Sequence, residues 1–158
     1  MEKTMSIRGV LAAAMVAILV VSGCGSGNTV EQVVGEINSN NVMRVASSYA
    51  LFQQKNNYKG PKNKAAFVKF LNDPNISNNL DMMGFDMGDI ESVFISERDN
   101  EEIKIRWGIK GSQRGCYEPV AFETTGIDGS RRIGFCNGVF EEVEDEGTYD
   151  EYFSGKHK

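Results

Sequence analysis

The cysteines carry the most reactive side chains in this chain of 158 residues. In an oxidising compartment, two cysteines within a small domain typically form a disulfide. A bridge from Cys116 to Cys136 would close a loop of about twenty residues, worth about 3 kcal/mol in the chain-entropy model. The alternative is a pair of buried, reduced thiols. Cys116 and Cys136 are structural in either interpretation, because the sequence has no CxxC motif and no second pair for a zinc site.

Carboxylates are concentrated in the stretch from Glu141 to Glu151. Such a cluster could bind Ca²⁺, which takes about six to eight oxygen ligands. The spacing matches no known calcium loop, however, and a charged run is usually a solvated face. We therefore predict neither a metal site nor a cofactor, and keep calcium at 141–151 as the alternative.

Catalytic groups are scarce. The only histidine, His157, lies between two lysines close to the C-terminus, and the GxSxG, HExxH, P-loop and GxGxxG motifs are all missing. The chain is therefore predicted not to be an enzyme, with no catalytic residues. A net charge of −5 without a basic stripe also argues against nucleic acid as a partner.

The N-terminal segment has the composition of an export signal. Lys3 and Arg8 precede an apolar run from Val10 through Val21. The run is about a dozen residues long, whereas a membrane-spanning helix needs about twenty. A cationic start, a short apolar run and small residues at its end predict a cleaved signal peptide at 1–23.

The end of this run looks like the lipobox of bacterial lipoproteins, and its residues are Val21-Ser22-Gly23-Cys24. The resemblance implies acyl chains on Cys24, which would make the membrane a partner through stable lipid attachment. Residues 24–28, rich in Gly and Ser, would form a flexible tether. Gly25 stands where Asp often signals inner-membrane retention, which favours the outer membrane. The alternative is an uncleaved spanning helix at 7–23.

The remaining chain, about 135 residues, has the size of one domain, predicted at 29–153 with a tail at 154–158. Apolar residues at helical spacing predict a helix in two stretches between Thr29 and Tyr58, the second capped by Asn40 or Asn41. A short helix is predicted from Asn63 to Leu71. Residues 75–90 are ambiguous.

Alternation of polar and apolar residues predicts strands in the second half of the chain. They lie at 92–96, 103–107, 119–123, 131–135 and 138–143. Helices followed by strands predict an α+β fold, in which a long N-terminal helix and a short helix pack on an antiparallel sheet of about four to five strands. Three aromatic residues and three methionines are predicted to belong to the core, and the alternatives are a ligand platform for the aromatic residues and an adaptable binding surface for the methionines. They are Trp107, Tyr117, Phe122, Met82, Met83 and Met87.

The register of the hairpin that the strands predicted at 119–123 and 131–135 would form stays open. A tight turn at Asp128-Gly129 would place Cys136 opposite Ala121, whereas a direct bridge to Cys116 needs a longer loop centred near Gly126.

A helix leading into a tyrosine, an Asn-rich exit, a Gly-Pro pair, a short helix and a sheet resembles the head domain of type IV pilins and pseudopilins. The resemblance is carried by residues 41–45, Tyr49, Phe52 and residues 56–61. It implies a pilin-head-like fold and a role in protein interaction. Pilins retain their apolar helix and carry a Glu at its fifth position. Here the apolar run precedes Cys24, and the fifth residue counted from Cys24 is Asn28.

Together these features predict a lipid-anchored cell-envelope protein with a structural or protein-interaction role and with envelope proteins as partners. The alternative is a lipid-tethered binding module for a small ligand or an envelope polymer. A deep pocket with convergent polar groups would favour the binding module.

Overall fold

Helix α1, Asn41–Lys55, is the element against which much of the structure packs. The structure is a computed structural model that describes residues 40–157. Asn40 caps the helix, because its side chain accepts a hydrogen bond from the N–H of Met43 at 3.2 Å. This confirms one of the two predicted caps. The helical stretch predicted from Thr29 to the cap lies outside the described residues.

The helix ends at Lys55, with Asn56 as its C-cap, because the two residues after the cap leave helical backbone. Asn57 and Tyr58 have φ angles of 52° and 61°, in the left-handed region. Two backbone hydrogen bonds hold Tyr58 in place. Its N–H donates to the carbonyl of Gln53 at 2.7 Å, and its carbonyl accepts from the N–H of Gly111 at 2.8 Å. The chain leaving α1 is thereby fixed to a segment more than fifty residues away.

Two further helices follow α1. Helix α2, Lys64–Leu71, begins after Asn63, whose side chain accepts from the N–H of Ala66, so the predicted short helix is confirmed. The ambiguous region contains a 3₁₀ turn at Pro74–Ile76 and helix α3 at Ser77–Met82.

The prediction of a strand at 92–96 is wrong. The structure has a 3₁₀ helix at Ile90–Phe94, which buries its first, fourth and fifth residues, a helical rather than an alternating spacing. Ile95 alone pairs as a strand residue, opposite Glu102 in an isolated bridge.

Four strands form one antiparallel sheet in the order of the sequence. They are β1 Lys104–Ile105, β2 Pro119–Phe122, β3 Arg131–Phe135 and β4 Phe140–Val143. Helices before an antiparallel sheet confirm the α+β class.

Helix α1 covers one face of the sheet, across β2 and β3. Gly134 permits the close approach, since a Cβ at this position would lie 2.9 Å from both the Cβ of Ala46 and the carbonyl oxygen of Val42. The core on this side includes Val42, Val45, Ala46, Tyr49, Phe67, Leu71, Phe94 and Val120.

Helix α4, Glu146–Ser154, covers the opposite face and was not predicted. Asp145 caps it by accepting a hydrogen bond from the N–H of Thr148 at 2.6 Å. The ring of Tyr149 is buried and lies 5.7 Å from that of Phe122, centroid to centroid. The second core consists of Phe122, Ile133, Phe135, Val143 and Tyr149.

The predicted core membership holds only in part. Phe122 is fully buried, and Trp107 and Met83 pack against the first core. Tyr117 and Met82, by contrast, are 72% and 66% exposed, and Met87 is also exposed. Among residues 40–157, no helix has both the length and the apolar character needed to cross a membrane.

Candidate functional site

The structure joins Cys116 and Cys136 in a disulfide, with the two Cα atoms 5.4 Å apart. Both sulfur-bearing side chains are buried. The bridge ties the segment before β2 to the end of β3. The alternative of two reduced thiols is therefore not what the structure contains.

Two irregularities in the hairpin of β2 and β3 create the strand register that the disulfide requires. The tip is a tight turn, with Ile127 opposite Ser130. Continuing this pairing would place Phe122 opposite Phe135, but Phe122 lies opposite Ile133. Extra residues at 124–126, on one side of the turn only, shift the register.

A second shift, a bulge between Pro119 and Ala121, moves the pairing further in the same direction. The N–H of Cys136 then donates to the carbonyl of Glu118 at 3.0 Å, which brings Cys116 within bridging distance. The tight turn at Asp128-Gly129 and the direct disulfide therefore coexist. The expectation that a direct disulfide needs a longer loop centred near Gly126 is therefore wrong.

Gln53 connects the disulfide to helix α1. Its side chain is buried, and its Nε2 donates to the carbonyl oxygen of Ile109 at 2.9 Å. The same Nε2 lies 3.7 Å from Sγ of Cys116. The following loop is closed by a bridge between Ser112 and Gly115. Polar contacts therefore hold the end of α1 against the segment around this loop, and the disulfide holds the loop against the end of β3.

An open cleft of about 410 Å³ lies between the end of α1 and this loop. Tyr117 and Tyr58 stand at its rim and are exposed. The lining side chains are uncharged, and most of them carry amide or hydroxyl groups or are small. The cleft is lined by Ala50, Gln53, Gln54, Tyr58, Gly111, Ser112, Gln113, Gly115, Cys116, Tyr117, Cys136 and Asn137.

The carboxylates of 141–151 are dispersed by the fold. Glu142 on β4 accepts hydrogen bonds from Arg132 and Arg98, each at 3.0 Å, and the bond from Arg132 lowers the pKa of Glu142. Glu146 on α4 pairs with Arg131 at 2.6 Å. Within residues 40–157, no group of three or more His, Cys, Asp or Glu side chains is arranged to hold a metal ion.

Glu123 is a buried carboxylate that the sequence analysis did not single out. It accepts hydrogen bonds from the hydroxyl of Ser96 at 3.1 Å and from the N–H of Arg132 at 2.8 Å, and Arg98 lies at 3.5 Å. These contacts satisfy both oxygens and fix the turn that begins at Ser96 against the sheet. The sequence feature that could have indicated this buried carboxylate is a glutamate directly after the apolar run of β2.

His157 packs against the domain rather than extending away from it. Its ring lies 5.1 Å from that of Tyr152, and its Nε2 lies 3.8 Å from the carboxylate of Glu118. Arg106 donates to the carbonyls of Tyr152 and Pro119, so it binds the C-terminal end of α4.

No protein-family model matches the chain, and no curated protein or solved structure is significantly similar to it. The function must therefore be argued from the site itself. The predicted lipidation residue, Cys24, lies outside the described residues.

Proposed function

We propose that the chain is a lipid-anchored protein of the bacterial cell envelope with a structural or protein-interaction role. The apolar run ending in Val21-Ser22-Gly23-Cys24 supports the anchor, and Gly25 supports the outer membrane. Acyl chains on Cys24 would hold the protein stably at the lipid surface.

The domain is proposed to be pilin-head-like, with the helix extended towards Thr29 in front of α1. The residues of the resemblance have contacts that suit this role. The hydroxyl of Tyr49 donates to the carbonyl of Arg106 at 3.1 Å and accepts from the N–H of Ile109 at 2.9 Å. Gly60 leaves room for that hydroxyl. These residues dock the helix and its exit onto the sheet side of the domain.

The position of the cleft is the observation that carries the interaction role. The tether would enter the domain at Asn40, and the cleft lies at the other end of α1. A helix of 15 residues spans about 22 Å. The cleft is therefore presented away from the point of attachment, where another envelope component can reach it.

The lining of the cleft also suits a macromolecular partner. Tyrosines offer large, rigid contact area, and Ser, Gly and Asn offer adaptable hydrogen bonding, which is the composition of protein-binding loops in antibodies. Tyr117, 72% exposed, is the most exposed large apolar side chain among residues 40–157.

The binding-module alternative rests on the volume of the same cleft. About 410 Å³ falls within the range of small-molecule sites, roughly 300–1,000 Å³. Such sites bury most of their ligand, whereas this cleft has two exposed tyrosines at its rim. The interaction role is therefore preferred. We also propose that the chain has no catalytic role.

The anchor is tested by replacing Cys24. The Cys24→Ala variant should lose metabolic labelling with palmitate and should leave the membrane fraction or accumulate as precursor. Ser26→Ala, two residues along the tether, serves as the matched control and should label normally. Unchanged labelling of Cys24→Ala would show that the lipobox interpretation is wrong.

A further inference from the structure

Most of the residues that line the cleft come from two segments that lack carboxylates, and the others are Cys136 and Asn137. Asp and Glu number 22 in the whole chain, yet neither 41–72 nor 103–117 contains one. Both segments carry several Lys and Arg. The fold places the end of one against the other, through the hydrogen bond from Gly111 to Tyr58. Lys64 and Arg106 of these segments pair with Glu102 and Glu118, so the locally cationic surface of this acidic chain is the part beside the cleft.

Two lysines at the edge of this surface face each other. Lys59 and Lys110 are partners in an isolated antiparallel bridge, and both are exposed. Side chains directly opposite each other in such a pair are close, and like charges there are destabilising. Within residues 40–157, neither lysine has a carboxylate within ion-pair distance. An anionic group between them would relieve the repulsion.

Arg114 extends the cationic edge along the loop, between the lining residues Gln113 and Gly115. It is exposed and, like the two lysines, makes no ion pair within the described part of the chain. Tyr and Arg are enriched among the residues that dominate protein–protein binding energy. Tyr117, Tyr58 and Arg114 provide these residue types around an uncharged cleft.

We propose that this cleft binds an acidic segment of a partner protein, with its carboxylates between Lys59 and Lys110 and beside Arg114, and with its side chains against Tyr117 and Tyr58. The inference rests on the proposed interaction role and names the chemistry of its partner. The disulfide and Gln53 hold the loop in place, so binding does not have to order it. Charge complementarity would chiefly speed association, and salt would weaken it.

The test is photo-crosslinking in cells, with the full-length lipidated protein carrying p-benzoylphenylalanine in place of Tyr117. We expect an adduct whose mapped partner peptide is rich in Asp and Glu. The Lys59→Glu/Lys110→Glu double variant should reduce the adduct yield about tenfold. Lys55→Glu/Lys69→Glu makes the same change in net charge at exposed sites on α1 and α2 that are not part of the Lys59–Lys110 bridge, and it should retain the adduct.

Three outcomes would overturn the proposal: no adduct at Tyr117, an adduct on a glycan or on a neutral or basic peptide, or a yield that both double variants leave unchanged. A second photo-probe at the exposed Phe153 separates this failure from failure of the interaction role. Protein adducts at Phe153 without any at Tyr117 would exclude the cleft and leave the interaction role standing. The absence of protein adducts at both positions would count against both.

Discussion

Buried polar side chains fix the loops that apolar packing would leave without a register. Gln53 and Glu123 are both buried, and each bonds to backbone groups distant in sequence. Neither is left unsatisfied, so their burial does not carry the cost of a lost hydrogen bond. Buried polar residues of this kind fix the position of a loop, because hydrogen bonds are directional. Apolar residues mainly require that the loop be buried against the core.

At the residue scale, the Cys116→Ser/Cys136→Ser variant should lower the free energy of unfolding by about 3 kcal/mol, because the bridge restricts the unfolded chain over a loop of about twenty residues. The measurement is urea unfolding monitored by circular dichroism. Intact mass should first show the wild type about two mass units lighter than its reduced form. Equal stability of wild type with and without reductant would contradict the prediction.

Asp99 should make stability depend on acidic pH. Burial acts to raise the pKa of Asp99, but hydrogen bonds from the N–H groups of Gly126 and Thr125 outweigh it, so the pKa lies below its ordinary value. The unfolded state therefore binds the proton more readily than the folded state. The stabilisation is present above about pH 4, the pKa of an unfolded Asp, and is lost as pH falls through the folded pKa.

We accordingly expect Asp99→Ala to lose about 1–2 kcal/mol in urea unfolding at pH 7. The difference from wild type should shrink at pH 2.5. Asp128→Ala would be a poor control because Asp128 has a φ angle of 52°. The exposed Asp81 on α3 is preferred, as Asp81→Ala. A difference that stays constant with pH would mean that the carboxylate charge at Asp99 is not what stabilises the turn.

At the scale of elements, the packing of α1 on β3 depends on a position without a side chain. Replacing Gly134 with Ala should destabilise the fold by about 1–3 kcal/mol, because the new Cβ would contact Ala46 and the backbone of Val42. Gly88→Ala is the matched control, since the one atom close to its Cβ is a carboxylate oxygen of Asp86. Thermal melting would measure both, and equal melting temperatures would contradict this account of the helix–sheet contact.

At the scale of the whole molecule, one sheet separates two cores. Tyr49 belongs to the core under α1 and Tyr149 to the core under α4. The core under α4 is small, with five buried residues, and β2 contributes to both cores through Val120 and Phe122, so we expect the two to unfold together.

The two tyrosines report on this coupling. Burial raises the pKa of Tyr49 to about 12 and likewise that of Tyr149 to about 12. Between pH 10 and 12 the unfolded state therefore releases protons that the folded state retains, and stability falls as pH rises. In a variant with the other three tyrosines, Tyr58, Tyr117 and Tyr152, changed to Phe, tyrosinate absorbance and circular dichroism should change together in one alkaline transition. Two separate transitions would show that the cores unfold independently.

Sequence patterns were sufficient for the elements whose apolar spacing is regular. The cap at Asn40, the short helix α2 and the strands β2 to β4 follow from side-chain types that act locally. The class of the fold follows from their order. Two elements have weak sequence signals. The pattern at 92–96 predicts a strand where the structure has a 3₁₀ helix at Ile90–Phe94, and α4 is not predicted because its acidic residues indicate a solvated face.

The sequence by itself determined the pair of cysteines and the order of helices before the sheet. It also predicts the lipobox-like end at Cys24. Tertiary structure decided the register and the site. Extra residues at 124–126 and a bulge near Pro119 align Cys116 with Cys136, and pairing across fifty residues brings Lys59 opposite Lys110. These arrangements depend on contacts between distant segments, whose geometry no local propensity encodes.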